Sequence, residues 1–352
     1  MRIVLVQVED DPDRPSVRAA FRRPGGELAD ELAGAGHEVR ELSLFLGERY
    51  AMDRPGVRTS STEAASIGLA RALESGEYDA LHVVGERAGR LVEQVVGRRP
   101  WVWSYDEADA GTAPDADPWF PRSASLLLVP TSAVGDALVR AGAARSRIRL
   151  VLERLTSGVI RGPLDGVRVR ASSLLTVMDD RGGTADVVRA LSRLPGASLT
   201  ILGSSEDQAA RRRLVLLARQ LHVEDRVHWH PVGDRLDALR AVEAADVLVH
   251  VPHARLELGP IVAAMSLTTA VVVSDLPDAD GLVVNGCTGL RVPVAEPHQL
   301  ALRLSILSAD PQMRDEISLA ARRHVRDELA AAVTTEALLE SYAVLTGLRR
   351  SA

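Results

Sequence analysis

The chain has 352 residues, more than one compact α/β domain usually holds and suited to two of roughly 150–180 each. Hydrophobic residues make up 46% but aromatics only 3%, so Ala, Val and Leu must fill the core. A net charge of −6, with every one of the 42 basic residues an arginine, gives no reason to expect a nucleic-acid partner, and the single Cys287 excludes an internal disulfide framework or a thiolate metal site.

Short apolar runs alternate with helical patterns along the whole chain, which is the pattern of βαβ units around a parallel sheet buried on both faces. The first half predicts strands at Arg2–Val8, His37–Leu44, Asp79–Gly85, Trp101–Tyr105, Leu126–Thr131 and Ile148–Leu152. Helices are predicted near Gly26–Ala35, Thr62–Glu74, Glu86–Val96 and Ser132–Ala141, with Ser132 as an N-cap. Thr156–Arg170 carries three glycines and a proline without a period and reads as a linker.

The same rhythm then restarts. Strands are predicted at Ser173–Met178, Ser198–Gly203, Arg226–His230, Val247–Val251, Ala270–Ser274 and Gly289–Val292. Helices are expected at Ala185–Arg193, Glu206–Leu221, Leu236–Ala244, Pro260–Leu267, Pro297–Ser308 and Gln312–Glu328. The Ala- and Leu-rich tail Ala330–Leu345 predicts a last helix. The expected organisation is a Rossmann-like domain over 1–160, a second over 161–328, and a C-terminal helix over 329–352 that packs back on the first domain. The opening MRIVLVQVEDD is too short for a signal-peptide core and no apolar run reaches the roughly 18 residues of a spanning helix, so the expectation is a cytoplasmic chain with no transmembrane segment. Ligands of open α/β sheets bind at the carboxyl ends of the strands, so a cleft between the two halves is the expected site.

Nine segments carry a resemblance. In the second half they are LTILGSS (Leu199–Ser205), LHVEDRVHWHPVG (Leu221–Gly233), AADVLVHVP (Ala244–Pro252), GPIVAAM (Gly259–Met265), AVVVSD (Ala270–Asp275), VVNGCTGLRVP (Val283–Pro293) and ADPQMRDEISLAARRHV (Ala309–Val325). In the first half they are PGGELADELAGAGHEVREL (Pro24–Leu42) and YDALHVVG (Tyr78–Gly85). In this order they resemble the retaining glycosyltransferases of family 4. The resemblance implies the GT-B fold, with two Rossmann-like parallel-sheet domains facing across a cleft. It implies transfer of a sugar, with retention, from a nucleoside-diphosphate sugar to a small-molecule or glycan acceptor. The nucleotide sugar is then a co-substrate, and neither a cofactor nor a metal is expected.

A diphosphate needs backbone N–H donors at a helix start or glycine turn. Two places qualify: Gly25-Gly26 before the first helix, and the helix start at Gly259, Pro260 and Ile261. Arg181, the only cation in MDDRGGTADVV (Met178–Val188), is the candidate counter-charge, although Asp179 and Asp180 beside it oppose an anion or pair with it. Glu257 is a candidate contact to a donor hydroxyl. The resemblance places the acceptor side at Tyr105, Asp106 and His82, although His82 lies mid-strand and reads more readily as a buried, hydrogen-bonded core histidine than as a catalytic one. His250 and His253 flank a strand end near the expected cleft, while His228 and His230 share a strand face without a third ligand of clear spacing.

Several family positions are substituted. Where the family has the second glutamate of its E-x₇-E pattern this chain has Ala263, and the glycine pair and glutamate after the Ala270–Ser274 strand become Pro277-Asp278 and Gly281. Two alternatives therefore stand beside a transferase: a catalytically silent relative that serves a protein partner, and another sugar-nucleotide enzyme of the same fold.

Overall fold

The computed structural model describes residues 1–9, 21, 25–46, 56–59, 69–74, 77–97, 99–105, 119–151, 172–179, 182–204, 208–328 and 331–347. The linker expected over Thr156–Arg170 lies outside them. The chain divides into two units: Met1–Arg14, Arg23–Arg154 and Ala331–Ala352 form the first, Pro15–Arg22 and Leu155–Ala330 the second.

In the first unit the elements are β1 (Arg2–Glu9), α1 (Gly25–Gly34), β2 (Glu38–Leu46), β3 (Gly56–Thr59), α2 (69–74), β4 (Ala80–Val84), α3 (Glu86–Val95), β5 (Val102–Ser104), β6 (Leu126–Val129), α4 (Ser132–Arg140) and β7 (Ile148–Leu150). The strands form one parallel sheet in the order β3-β2-β1-β4-β5-β6-β7. Side chains alternate across a strand, and this sheet is buried on both faces. From β1, Ile3 and Leu5 pack with Leu28, Leu32, Leu338 and Tyr342, while Val4 and Val6 pack with Leu69, Leu91, Trp103 and Leu127 on the other side.

Two local details differ from the sequence reading. The cap of α4 is Thr131, whose hydroxyl accepts from the Val134 N–H at 3.2 Å, so Ser132 is the first helical residue. The edge strand β3 was not expected, because four residues paired on one side carry no alternation to recognise.

The second unit contains β8 (Ser173–Val177), α5 (Gly183–Leu191), β9 (Ser198–Gly203), α6 (Gln208–Gln220), β10 (Val227–Pro231), α7 (Arg235–Ala244), β11 (Val247–His250), α8 (Leu258–Ser266), β12 (Ala270–Ser274), β13 (Leu290–Val292), α9 (Pro297–Ala309) and α10 (Pro311–Glu328). Its strands are parallel in the order β10-β9-β8-β11-β12-β13. Both sheets follow the Rossmann order, in which the strand direction of travel reverses once. That switch point falls between β1 and β4 in the first unit and between β8 and β11 in the second.

The last helix, α11 (Ala331–Thr346), belongs to the first unit. Its Tyr342 is fully buried, and its hydroxyl lies 2.7 Å from Nδ1 of His82, whose Nε2 is 2.6 Å from the Ser104 hydroxyl. A buried group left without its partner costs about 1–3 kcal/mol. Tyr342→Phe is therefore expected to destabilise the protein by about that much in urea unfolding, and an unchanged midpoint would show that His82 does not depend on this contact. No helix among the described residues is long and apolar enough to cross a membrane.

Candidate functional site

The carboxyl ends of β8 and β11 carry the loops that lead into α5 and α8, so the switch point of the second sheet gathers two helix starts. Helix starts expose backbone N–H groups and favour anions. The two differ in what already occupies them.

At α5 the N–H of Gly183 donates to the Asp179 carboxylate at 2.8 Å, and the Asp179 N–H donates to the Thr184 hydroxyl at 2.7 Å. An internal carboxylate thus sits where a phosphate oxygen would sit in an anion-binding turn. Gly182 has φ +123°, a conformation open to glycine, and a side chain there would enter the imidazole of His253, with a Cβ 2.4 Å from Cε1. Arg181, the expected counter-charge, and Asp180 lie outside the described residues.

His253 brings a basic group against this turn. Its Nε2 is 2.7 Å from one oxygen of Asp186, whose other oxygen accepts from Arg189 at 2.7 Å. Asp186 is buried, so the pair and the arginine hold one another in a fixed geometry. Sequence reasoning placed His253 near the site. It missed Asp186, which lies 67 residues away on α5 and carried no motif.

The loop between β11 and α8 is tied down from three sides. The Ser274 hydroxyl donates to the Pro252 carbonyl at 2.8 Å, the Leu256 N–H donates to buried Asp278 at 3.2 Å, and the Glu257 N–H donates to Nε2 of buried His250 at 3.2 Å. With its Nε2 accepting, a neutral His250 carries its proton on Nδ1. Arg291 braces the following turn through Asp275 at 2.7 Å, Asp280 at 2.8 Å and the Leu276 carbonyl at 3.1 Å. Asp278, which stands in the rebuilt glycine loop, is therefore a brace of the backbone before α8.

Helix α8 begins at Leu258, two residues earlier than expected, so Pro260 is its third residue. Proline is tolerated there because the first N–H groups of a helix have no helical acceptor, but it contributes no donor. Leu258 and Gly259 carry the backbone donors of this turn, while the Ile261 N–H makes the first bond of the helix to the Glu257 carbonyl. A Cβ on Gly259 would lie 3.0 Å from both Cβ and the carbonyl oxygen of Phe21, a residue of the second unit that is itself buried. Glu257 is the N-cap residue of α8 by position, and its side chain does not cap the helix. Ala263 is fully buried among Ile261, Val262, Ala264 and Met265.

In the first unit, Gly25 and Gly26 form the opening turn of α1 rather than a loop before it. Tyr105 is buried at the end of β5, edge-on to Trp103, while Asp106 lies outside the described residues. His82 has both ring nitrogens engaged, as described above. His230 is paired with both carboxylate oxygens of Asp237 at 3.1 Å, and the Gly233 N–H is the main cause holding the Asp237 carboxyl below its usual range.

Residues 178–324 match the family model of the group 1 glycosyl transferases. A D-inositol 3-phosphate glycosyltransferase of Xylanimonas cellulosilytica is 34% identical over 170 residues, covering 46% of this chain; the chain spans 39% of that relative's length. Among solved structures, Anabaena HepE in complex with UDP and glucose superposes with a TM-score of 0.78 at 15% identity, covering 98% of this chain and all of that one. The sucrose-phosphate synthase of Thermosynechococcus elongatus gives 0.75 at 18% identity, covering 99% and 100%. Residues 178–324, in the second unit, thus match the group 1 glycosyl transferase model, and the two Rossmann-like units have the GT-B fold of these solved structures.

Proposed function

We propose that the protein is a glycosyltransferase that takes a nucleoside-diphosphate sugar at the switch point of its second unit and transfers the sugar, with retention, to a small acceptor. The observation that carries this reading is the family match over residues 178–324, which contains both helix starts of that switch point. The donor diphosphate would lie at the first turn of α8, on the N–H groups of Leu258 and Gly259, with His253 on the loop before it. Stabilising the departing diphosphate is the main electrostatic task of such a reaction. Glu257 and Arg181 remain candidates on the donor side. Gly25, Gly26, Tyr105 and Asp106 remain candidates in the first unit. His82 is left as a positioning residue for β4, β5 and α11.

The test is a thermal-shift series with UDP, GDP, ADP and dTDP, followed by turnover of the matching sugar nucleotide. Ligand at about 100 times its Kd stabilises by roughly 2.7 kcal/mol, a readable shift. A shift with one base and release of that nucleoside diphosphate from its sugar conjugate supports the reading, and no shift with any of them removes it.

One observation favours a second reading, a catalytically silent relative. The Asp179 carboxylate already holds the Gly183 N–H at the start of α5. Asp179→Ala is expected to cost about 1 kcal/mol of stability, as for a lost helix cap. It is also expected to tighten nucleoside-diphosphate binding if that carboxylate competes with phosphate. Unchanged affinity, with binding present in both proteins, would take the α5 start out of the donor site.

A further inference from the structure

The outer edge of the second sheet carries a groove that the donor reading does not use. It lies between α6 and the edge strand β10, has a volume of about 760 Å³, and is lined by Arg211, Arg212, Arg219, Val215, Leu216 and Trp229, with Ser204, Gln208 and Pro231 at its end. Strands β9 and β8 separate it from the switch point, so it is not part of the crevice described above.

The helix is built for two faces. Ala210, Leu214 and Ala218 are buried against the sheet, whereas 208, 211, 212, 215, 216 and 219 recur at spacings of three and four and form the groove wall. Val215 and Leu216 are exposed there, Leu216 at 58%. The β10 side is equally specific. A Cβ on Gly203 would lie 2.2 Å from the Trp229 ring, so glycine at the end of β9 is what lets the indole lie across the strand ends. Arg211 stands over that indole with its guanidinium carbon 5.5 Å from the ring centroid.

Among the described residues the charge is one-sided: three guanidinium groups and no acidic side chain line the groove, and none of the three arginines forms an ion pair. Guanidinium forks match phosphate oxygens, and the apolar wall between them suits a flat or aliphatic group beside the phosphate. A concave site of this volume fits a small molecule.

We propose that this groove binds a phosphorylated small molecule, with its phosphate on Arg211, Arg212 and Arg219 and its apolar part against Val215, Leu216 and Trp229, as a site separate from the donor crevice.

The experiment titrates the full chain with 1-naphthyl phosphate and follows the Trp229 indole N–H by NMR, the signal being assigned by its absence in Trp229→Phe. A saturable shift is expected. Arg212→Ala with Arg219→Ala should weaken it at least tenfold while leaving the urea-unfolding midpoint unchanged, since both side chains stand on the exposed wall. Inorganic phosphate and 1-naphthol should each bind more weakly than the combined probe. Saturating UDP should leave the titration unaffected. No saturable shift, equal affinity in the double variant, or competition by UDP overturns the proposal. Sedimentation with phosphatidylglycerol vesicles and no response to 1-naphthyl phosphate also overturns it, assigning the face to a membrane surface.

Discussion

Ala263→Glu is expected to destabilise the second unit by roughly 3–5 kcal/mol, the range for an uncompensated buried charge, and not to create a sugar contact. Ala263 has no exposed surface, and neither do Ile261, Ala264 and Met265 around it on α8. A glutamate there must bury an ionised carboxylate without a partner or hold it neutral, and must also make room for added methylene groups in a close-packed core. Two controls separate these costs. Ala263→Gln keeps nearly the same volume without charge, and Ala263→Val adds volume without polarity, so the expected order of loss is Glu, then Gln, then Val. Urea unfolding checks it. A midpoint unchanged by Ala263→Glu, together with tighter binding of a sugar nucleotide, would mean that this face of α8 meets the ligand, contrary to the burial observed.

This substitution also shows how far the sequence could be read. That position 263 departs from the family pattern is visible from spacing alone. Whether alanine leaves a polar pocket or fills the core depends on the elements packed over α8, and no local pattern reports it. The parallel sheets were legible because runs such as Val247–Val251 and Ala270–Ser274 are apolar on both strand faces, which only a doubly covered sheet requires. The edge strand β3 offered no such run. In the site, the histidine was visible but its partner was not, since His253 and Asp186 meet through the fold and not through spacing. Asp179 was legible as a charge opposing phosphate. Its hydrogen bond to Gly183 depends on the positive φ of Gly182 between them, which the pair of glycines permits without specifying. The groove on α6 was hidden for a related reason: its arginines stand on α6 and Trp229 on β10, and they meet through the fold and not through spacing.

Gly183→Ala is expected to cost several kcal/mol, although alanine is the better helix former by about 1 kcal/mol. The added Cβ would lie 2.4 Å from the carbonyl oxygen of Val251 and 2.8 Å from the Asp179 carboxylate. A flexible side chain could move aside, but the Val251 oxygen is backbone at the end of β11, tied through Pro252 to Ser274. The helix must therefore retreat from the sheet, which breaks the Gly183–Asp179 hydrogen bond and draws Asp186 away from His253. Gly34→Ala is the matched control: Gly34 ends α1, and a Cβ there meets nothing within 4 Å. That change should be neutral or stabilise by up to about 1 kcal/mol. Urea unfolding shows a large loss for Gly183→Ala and none for Gly34→Ala if the close approach of α5 to β11 is real. Equal shifts would mean that the first turn of α5 can move freely, and the His253–Asp186 pair could then not serve as a fixed wall of the site.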